Sequence, residues 1–137
     1  MSYRTIKYYI VRILNSLGYK ESEDKFNFEQ ESDLNFDKTF IVTAPAGEIA
    51  DGNTLGTTFY PTRNMRIQMA WQLSESAIAE YDLINQEIDS IISELHDPSN
   101  FKQDSIKNFQ YKNHQLREEK NYLIAEFNFD AVDSVTF

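Results

Sequence analysis

The sequence predicts an α+β fold, in which two helices pack on one face of a mostly antiparallel sheet of four to five strands. Three observations predict it. An amphipathic segment opens the chain, apolar and polar residues alternate over Arg66–Leu73 and Tyr122–Phe129, and a second amphipathic segment, Ala77–Leu95, lies between these two runs. Alternation with a period of two is typical of strands with one buried face, and recurrence every three to four residues is typical of helices.

The first predicted helix is Tyr3–Leu17. Its apolar residues recur every three or four positions: Ile6, Tyr9, Ile10, Ile13, Leu14 and Leu17. Gly18 then occupies the position where a left-handed residue commonly ends a helix. The opposite face carries Arg4, Lys7 and Arg12, so this helix is locally basic.

The next part of the chain, Lys20–Asp37, is polar, and we expect a short strand near Lys25–Gln30. Thr39–Ala44 is rich in β-branched and aromatic residues and predicts a strand. We expect Pro45 to end it, because proline cannot donate a ladder hydrogen bond.

Residues 45–64 predict either a wide loop or a long hairpin arm, since they contain three of the four glycines and two of the three prolines. Long segments of this kind are often functional. The arm carries four large apolar residues without an evident local partner: Ile49, Leu55, Phe59 and Tyr60. One hypothesis is that they contact a neighbouring subunit, and the alternative is that the arm folds back onto its own core.

Arg66–Leu73 shows the clearest alternation in the chain. The side chains expected in the core are Ile67, Met69, Trp71 and Leu73. Those expected on the solvated face are Arg66, Gln68, Ala70 and Gln72.

The second helix is predicted over Ala77–Leu95 and should end before Pro98. Its apolar stripe consists of Ala77, Ile78, Tyr81, Ile84, Ile88, Ile91, Ile92 and Leu95. Acidic residues flank the stripe on both sides, and Leu83 falls on the polar face.

Phe101–Lys120 is a polar connector in which Ile106, Phe109 and Tyr111 indicate a further strand. Tyr122–Phe129 alternates and predicts the last strand. The apolar pattern continues through Val132, Val135 and Phe137, so we expect the C-terminal segment to dock against the rest of the protein.

The composition limits the possible functions. The chain has 137 residues, enough for one domain with one core. The absence of cysteine excludes disulfides, thiolate metal sites and cysteine nucleophiles. The first residues lack the apolar run of a signal peptide, and no apolar run reaches the length of a membrane span. A formal net charge of −9 argues against a general binder of the phosphate backbone.

The acidic residues are concentrated in two clusters. Glu21–Asp37 contains seven acidic residues and one lysine, and Ile67–Phe101 contains seven acidic residues and neither Lys nor Arg. One interpretation is a solvated surface that keeps the protein soluble. The other is a surface that repels nucleic acid or meets a basic partner.

The sequence shows no pattern typical of an active site. His96 and His114 lack further ligands at metal-site spacing, and the glycines fit neither a dinucleotide nor a phosphate loop. The neighbouring Glu118 and Glu119 are better explained as a solvated edge. We therefore expect no catalytic residues, no metal and no cofactor, and an enzyme is the third and least favoured class.

Three segments together resemble the tail terminator and tail-completion proteins of long-tailed bacteriophages. They are the opening helix Ser2–Gly18, the strand-into-helix passage Met65–Ala79 and the closing strand Tyr122–Phe129. The likeness is one of architecture over nearly the whole chain and not of a signature motif. The connector Phe101–Lys120 departs from it, because it is longer than the family leads us to expect.

The resemblance implies a structural virion protein of the phage neck, made in the host cytoplasm. Such a protein would assemble with itself into a ring, with six-fold symmetry expected, which caps the tail tube, stops its elongation and joins tail to head. Its partners would be the tail tube protein and a head–tail connector or stopper protein. Genome DNA would only pass through the lumen, without specific binding, and no membrane would be involved. Whether the ring is the terminator, a joining protein or a stopper stays open.

The acidic charge fits this expectation, because a negative lumen would repel DNA phosphates and let the genome slide. The hypothesis is that one acidic cluster, in Glu21–Asp37 or on the Ala77–Leu95 helix, faces the channel. Its candidate residues are Glu29, Glu31, Asp33, Glu80, Glu87 and Glu94. The rival class is an acidic monomeric binding module, either an inhibitor that mimics DNA or an adaptor. The charge suits that class equally, but it does not require a long apolar arm.

Overall fold

The structure is a computed structural model, and it describes residues 3–22, 36–49, 58–59, 61–74, 77–104, 106, 108–132 and 135–136. Three α-helices lie within these ranges: α1 (Tyr3–Ser16), α2 (Ala77–Leu95) and α3 (Pro98–Phe101). The strands are β1 (Lys20–Glu21), β2 (Thr39–Ile49), β3 (Thr58–Phe59), β4 (Pro61–Gln72), β5 (Asn108–Glu119), β6 (Tyr122–Val132) and β7 (Val135–Thr136). A 3₁₀ turn, Lys102–Asp104, follows α3.

The main sheet has five strands in the order β1-β2-β4-β6-β5, and β3 pairs with β7 in a separate two-stranded sheet. Only the short β1–β2 pair is parallel; the β2–β4, β4–β6 and β5–β6 pairs are antiparallel. The protein is therefore an α+β fold with a mostly antiparallel sheet, as predicted.

The main core lies between one face of this sheet and the helices. Inward side chains on the two central strands stack in register, with Ile67 opposite Phe127 and Met65 opposite Phe129. The helices supply the apolar residues that cover them, listed here by helix: Ile6, Tyr9, Ile10, Ile13 and Leu14 from α1, and Ile84, Ile88, Ile91 and Leu95 from α2. Trp71 is buried in this core, as predicted.

The opposite face of the sheet is mostly polar, but Ala70 does not lie in solvent there, which corrects the expected pattern. Ala70 is buried against Phe36 and Ile124, and Tyr122 packs beside them. The chain before β2 brings Phe36 onto this face, where Thr39 Oγ1 donates to the Phe36 carbonyl at 2.7 Å. Alternation along one strand could not show that a separate segment covers part of its outer side.

Helix α1 ends one residue before the predicted end. Gly18 has a φ of 96°, which a side chain would strain. The Tyr19 amide donates to the Leu14 carbonyl at 3.0 Å and the Gly18 amide donates to the Asn15 carbonyl at 3.1 Å. These two bonds form a Schellman motif, which satisfies the last free carbonyls of the helix.

The predicted end of β2 at Pro45 is wrong. The strand continues to Ile49, because a β-bulge between Thr43 and Ala46 takes the proline out of the regular ladder. Beyond the bulge, the ladder runs from Ala46 opposite Asn64 to Ile49 opposite Pro61. The ends of the predicted arm are thus the two strands of a hairpin, and β4 begins five residues before the predicted Arg66.

Helix α2 has the predicted bounds, Ala77–Leu95. Ile78 was placed on its apolar stripe, and this is wrong, because the side chain is 86% exposed. A rotation of about 100° per residue places Ile78 roughly 120° from Ile84 and roughly 80° from Ile88. It therefore lies outside the buried stripe, on the side of Asp82 and Asp89. Pro98 lies beyond the helix and also begins α3, whose N-cap is Asp97.

The connector 101–120 forms more structure than one short strand, because Asn108–Glu119 is a single strand of 12 residues. A bulge between Tyr111 and Asn113 shifts the inward positions from Tyr111 to His114. This shift breaks the two-residue period, which explains why the sequence indicated only the first part of the strand.

The last strand of the main sheet, β6, also runs further than predicted, to Val132. Val135 and Thr136 pair with Phe59 and Thr58, so this part of the C-terminal segment docks as expected. The strand expected near Lys25–Gln30 and the last residue, Phe137, lie outside the described residues. None of the helices in the described ranges is long and apolar enough to cross a membrane.

Candidate interaction surfaces

Two of the four arm residues lie in described strands. Ile49 ends β2 opposite Pro61, and Phe59 pairs through its backbone with Val135. Leu55 and Tyr60 lie outside the described residues. The hypothesis that these four residues contact a neighbouring subunit therefore stays a prediction.

The candidate acidic residues divide in the same way. Glu29, Glu31 and Asp33 lie outside the described part of the chain. Glu80, Glu87 and Glu94 lie on α2 at intervals of seven residues, which places them on one side of the helix. We call these three residues the glutamate column. Each member bonds to a different neighbouring segment.

Glu80 bonds to Ser74, two residues beyond the end of β4. Its carboxylate accepts from the Ser74 amide at 2.8 Å and also from the Ser74 hydroxyl. These hydrogen bonds stabilise the charged form and lower the pKa of Glu80. The carboxylate also lies in the first turn of α2, where the helix dipole favours negative charge. Glu80 thus links the first turn of α2 to the segment that precedes the helix.

Glu87 joins the middle of α2 to the chain after α1. The Tyr19 hydroxyl donates to the Glu87 carboxylate at 2.9 Å, and Lys38 Nζ lies 4.0 Å from the same oxygen. Burial and the neighbouring Glu87 charge raise the pKa of Tyr19 well above its ordinary value. The buried indole N–H of Trp71 has no hydrogen-bond acceptor among the described residues.

Glu94 closes the end of α2. Its carboxylate and its carbonyl accept from the Asn100 side chain at 3.2 and 2.9 Å. Helix α1 also contacts the C-terminal end of α2. The Tyr9 hydroxyl donates to the Leu95 carbonyl at 2.6 Å, and Arg12 donates to the Asn100 carbonyl just beyond at 3.2 Å. These bonds satisfy carbonyls that the end of a helix leaves without partners.

The two aspartates of α2 differ from the glutamate column. Asp82 and Asp89 are exposed on the side opposite the glutamate column, and neither forms an ion pair or hydrogen bond with a described residue. Charge alone does not distinguish these two aspartates from the glutamates. The spacing does distinguish them, because Glu80, Glu87 and Glu94 share one side of the helix, while Asp82 and Asp89 share the other.

A groove runs beside the glutamate column. It consists of two adjoining cavities of about 470 and 210 Å³ that share Lys38, Leu83 and Glu87. Tyr19 lines the larger cavity and Trp71 the smaller one. We call the two cavities together the α2 groove; Leu17 also lines the larger one and Glu80 the smaller one. Its lining combines aromatic rings with charged groups.

The helix-free face of the sheet carries polar side chains that bond to one another across the strands. Arg66 Nε lies 3.3 Å from the Glu126 carboxylate, which also accepts from Gln68 at 3.2 Å. Asn128 donates to Asn113 at 2.8 Å in the next pair of strands. These contacts link five polar side chains across this face. Asp130 is different, because its buried Oδ1 accepts no hydrogen bond from a described residue and has Lys112 Nζ at 3.7 Å.

Large exposed apolar side chains in the described ranges belong to the helices and their ends. Tyr8 is 66% exposed on α1, and Leu17 is 37% exposed just after it. On α2, Ile78 is 86% and Leu83 is 60% exposed. The outer surface of the helices thus differs in character from the helix-free face of the sheet.

Neither histidine belongs to a metal-binding cluster among the described residues. The His114 Nδ1 atom lies 2.5 Å from the Tyr111 hydroxyl, and its ring lies 5.6 Å from that of Phe127. His96 is exposed after the end of α2. Glu118 accepts from the Tyr81 hydroxyl at the exposed end of β5, and this bond is the main cause that raises the pKa of Tyr81.

The chain was compared with protein-family models and with curated protein sequences, and neither comparison finds a match.

Proposed function

We propose that this chain is the subunit of a structural ring at the neck of a long-tailed bacteriophage. The ring caps the tail tube, stops its elongation and joins tail to head, while genome DNA passes through the lumen. The partners in this proposal are other copies of the chain, the tail tube protein and a head–tail connector or stopper protein. The chemistry of the ring is association, not bond-making.

The main support is the arrangement of the elements. An opening helix, a sheet with a long β2–β4 hairpin, a second helix across the same face and closing strands follow each other in the order that the resemblance implies. The hairpin continues for four paired positions beyond the bulge at Thr43/Ala46. This hairpin leads into the predicted arm, which in this proposal gives each subunit a means of reaching its neighbour in a head-to-tail ring.

The charge of α2 supports a lumen-facing role for one of its sides. The helix carries five acidic residues and no basic residue. Hydrogen bonds inside the chain hold the glutamate column against neighbouring segments. Asp82 and Asp89 are exposed on the other side of the helix and form no such bond to a described residue. We assign these two aspartates to the channel, where they would repel the phosphate backbone. A ring structure with Asp82 and Asp89 on its outer rim would contradict this assignment.

The experiment is negative-stain imaging of the purified full chain, alone at high concentration and mixed with tail tubes. Rings, or density on tube ends with tubes of limited length, are the expected result. Light scattering on the same samples gives the particle mass. A chain that neither forms rings nor binds tube ends would contradict the proposal.

A deletion tests the role of the arm. Removal of Ala50–Thr57 should leave a folded monomer that no longer forms rings. The matched control replaces the same eight residues with Gly and Ser, which preserves the length and removes the side chains. Loss of rings in both variants would assign the contact to the side chains of the arm. Normal assembly of both variants would show that the arm has no such role.

The rival function is an acidic binding module that stays monomeric. The observation in its favour is the same run of five carboxylates on one 19-residue helix, which could imitate the charge of a nucleic-acid backbone. Under this alternative, the chain would remain a monomer in light scattering and would form a tight complex with a basic DNA-binding enzyme.

A further inference from the structure

The two long helices carry opposite charges. α1 has three basic residues and no acidic one, whereas α2 has five acidic residues and no basic one. Lys7 lies 3.4 Å from Glu21, and Arg12 bonds to the Asn100 carbonyl. Arg4 is exposed and has no ion-pair partner among the described residues. One unpaired cation therefore remains on the outer side of α1.

An exposed aromatic residue lies one helical turn from this cation. Tyr8 follows Arg4 by four positions, so the two side chains are neighbours on the helix surface. Tyr8 is 66% exposed, while the adjacent Tyr9 is fully buried, which places Tyr8 on the side facing away from the core. Arg4 and Tyr8 form a basic aromatic pair, which we call the α1 pair.

The α2 groove has complementary properties. Leu83 at its rim is 60% exposed, and the adjoining Leu17 is 37% exposed. Glu80 and Glu87 line the groove with Lys38 as the one cation among its lining residues. Their donors Ser74 and Tyr19 are neutral, so both carboxylates keep their charge and the negative charge of the groove exceeds the positive. An aromatic ring next to a cation fits this lining, because the ring can cover the leucines while the cation faces the carboxylates.

We propose that the α2 groove receives the α1 pair of a second copy of this chain. The Tyr8 ring packs against Leu83, and the Arg4 guanidinium faces the carboxylates of the groove. The donor and acceptor surfaces differ, so the contact is heterologous and each copy can engage two others. This inference rests on the proposed function and names the surfaces through which the ring closes.

The test uses two full-length variants with changes at exposed positions. Y8A combined with Arg4→Glu removes the donor surface, and Leu83→Arg blocks the groove. Ile78→Ser is the matched control, because it removes an even more exposed apolar side chain of α2 that does not line the groove. Circular dichroism shows whether each variant keeps the fold, and sedimentation velocity measures the association.

We expect each variant to lose at least tenfold in association constant, and the control to associate like the natural chain. An equimolar mixture of the two variants should regain a single contact and stop at dimers, because each dimer lacks a second functional pair. Leu83→Ser provides a milder change in case the arginine perturbs the helix.

Rings that form normally in both variants would overturn this inference and leave the proposed function standing. A mixture that does not regain dimers would overturn it as well. If the natural chain associates through these surfaces but neither closes rings nor binds tube ends, the inference holds and the proposed function fails.

Discussion

The helix-free face of the sheet and the outer surface of the helices differ in the side chains that they expose to solvent. On the sheet, Arg66, Gln68 and Glu126 bond to one another across two strands. On the helices, Tyr8 and Leu83 leave most of their apolar surface in water. Covering polar groups that already bond to one another releases little free energy. Covering an exposed apolar side chain is favourable, because it removes apolar surface from water. The outer surface of the helices is therefore the better candidate for contact with a partner.

The largest expected effect separates the two faces of the sheet. Phe127 is fully buried, and the adjacent Glu126 points to the helix-free face. Phe127→Ala should lower the free energy of unfolding by about 3–5 kcal/mol, because it removes ring contacts and leaves a cavity. Glu126→Ala should lower it by about 1 kcal/mol or less, since its ion pair is partly exposed. Urea denaturation measures both, and equal losses would mean that the sheet faces are not divided as described.

A second prediction compares neighbouring tyrosines of α1. Tyr9→Phe removes the hydroxyl that donates to the Leu95 carbonyl at 2.6 Å and leaves that acceptor without its donor. The cost should be about 1–3 kcal/mol in free energy of unfolding. Tyr8→Phe is the matched control, and its exposed position predicts a change within about 0.5 kcal/mol. Thermal or urea unfolding decides the point, and an effect at Tyr8 as large as that at Tyr9 would contradict the burial pattern.

The third prediction concerns alkaline pH. Burial and Glu87 raise the pKa of Tyr19 in the folded state. The stabilisation is fully present below the unfolded tyrosine pKa of about 10, and is lost as the pH rises above that value. Tyr19→Phe should cost about 1 kcal/mol at neutral pH through the lost hydrogen bond. It should also flatten the fall in stability between about pH 9 and about pH 11.

The Tyr81→Phe background removes a second tyrosine with a raised pKa from this measurement. If Tyr19→Phe leaves the alkaline fall in stability unchanged in this background, the Tyr19–Glu87 contact is not the cause of that fall.

The smallest effect on stability is expected on the outer helical surface. Leu83→Ser and Ile78→Ser should each change the free energy of unfolding of the monomer by about 0.5 kcal/mol or less, because both side chains are mostly exposed. Unfolding at low protein concentration, where association is weak, measures this. A loss of several kcal/mol at either position would mean that the side chain is part of the core.

Strong periodicity predicted the parts of the fold where one rule governs the whole segment. The bounds of α2 were correct, and the inward set of β4 that includes Ile67 and Met69 was confirmed, because burial on one side repeats at a fixed interval. The sequence missed the continuation of β2 past Pro45 and most of β5. In both strands a bulge interrupts the alternation, and a bulge depends on the partner strand rather than on local sequence.

The candidate surfaces were less predictable than the fold. The acidic residues of α2 were identified, but the partners of the glutamate column come from distant segments, such as Tyr19 for Glu87. The exposure of Ile78 depends on where the edge of the buried stripe falls. Charge and periodicity can therefore nominate surface residues, whereas tertiary contacts decide which of them are occupied.

The central claim is that this protein acts through self-association. Its most direct test is the molecular mass of the natural full-length chain, measured by sedimentation equilibrium over a wide range of concentrations and at two salt concentrations. The account predicts a mass that rises with concentration toward a closed oligomer and association that weakens at high salt, because charge contributes to the contact. A constant mass of 16.0 kDa, that of a single chain, under all these conditions would contradict it.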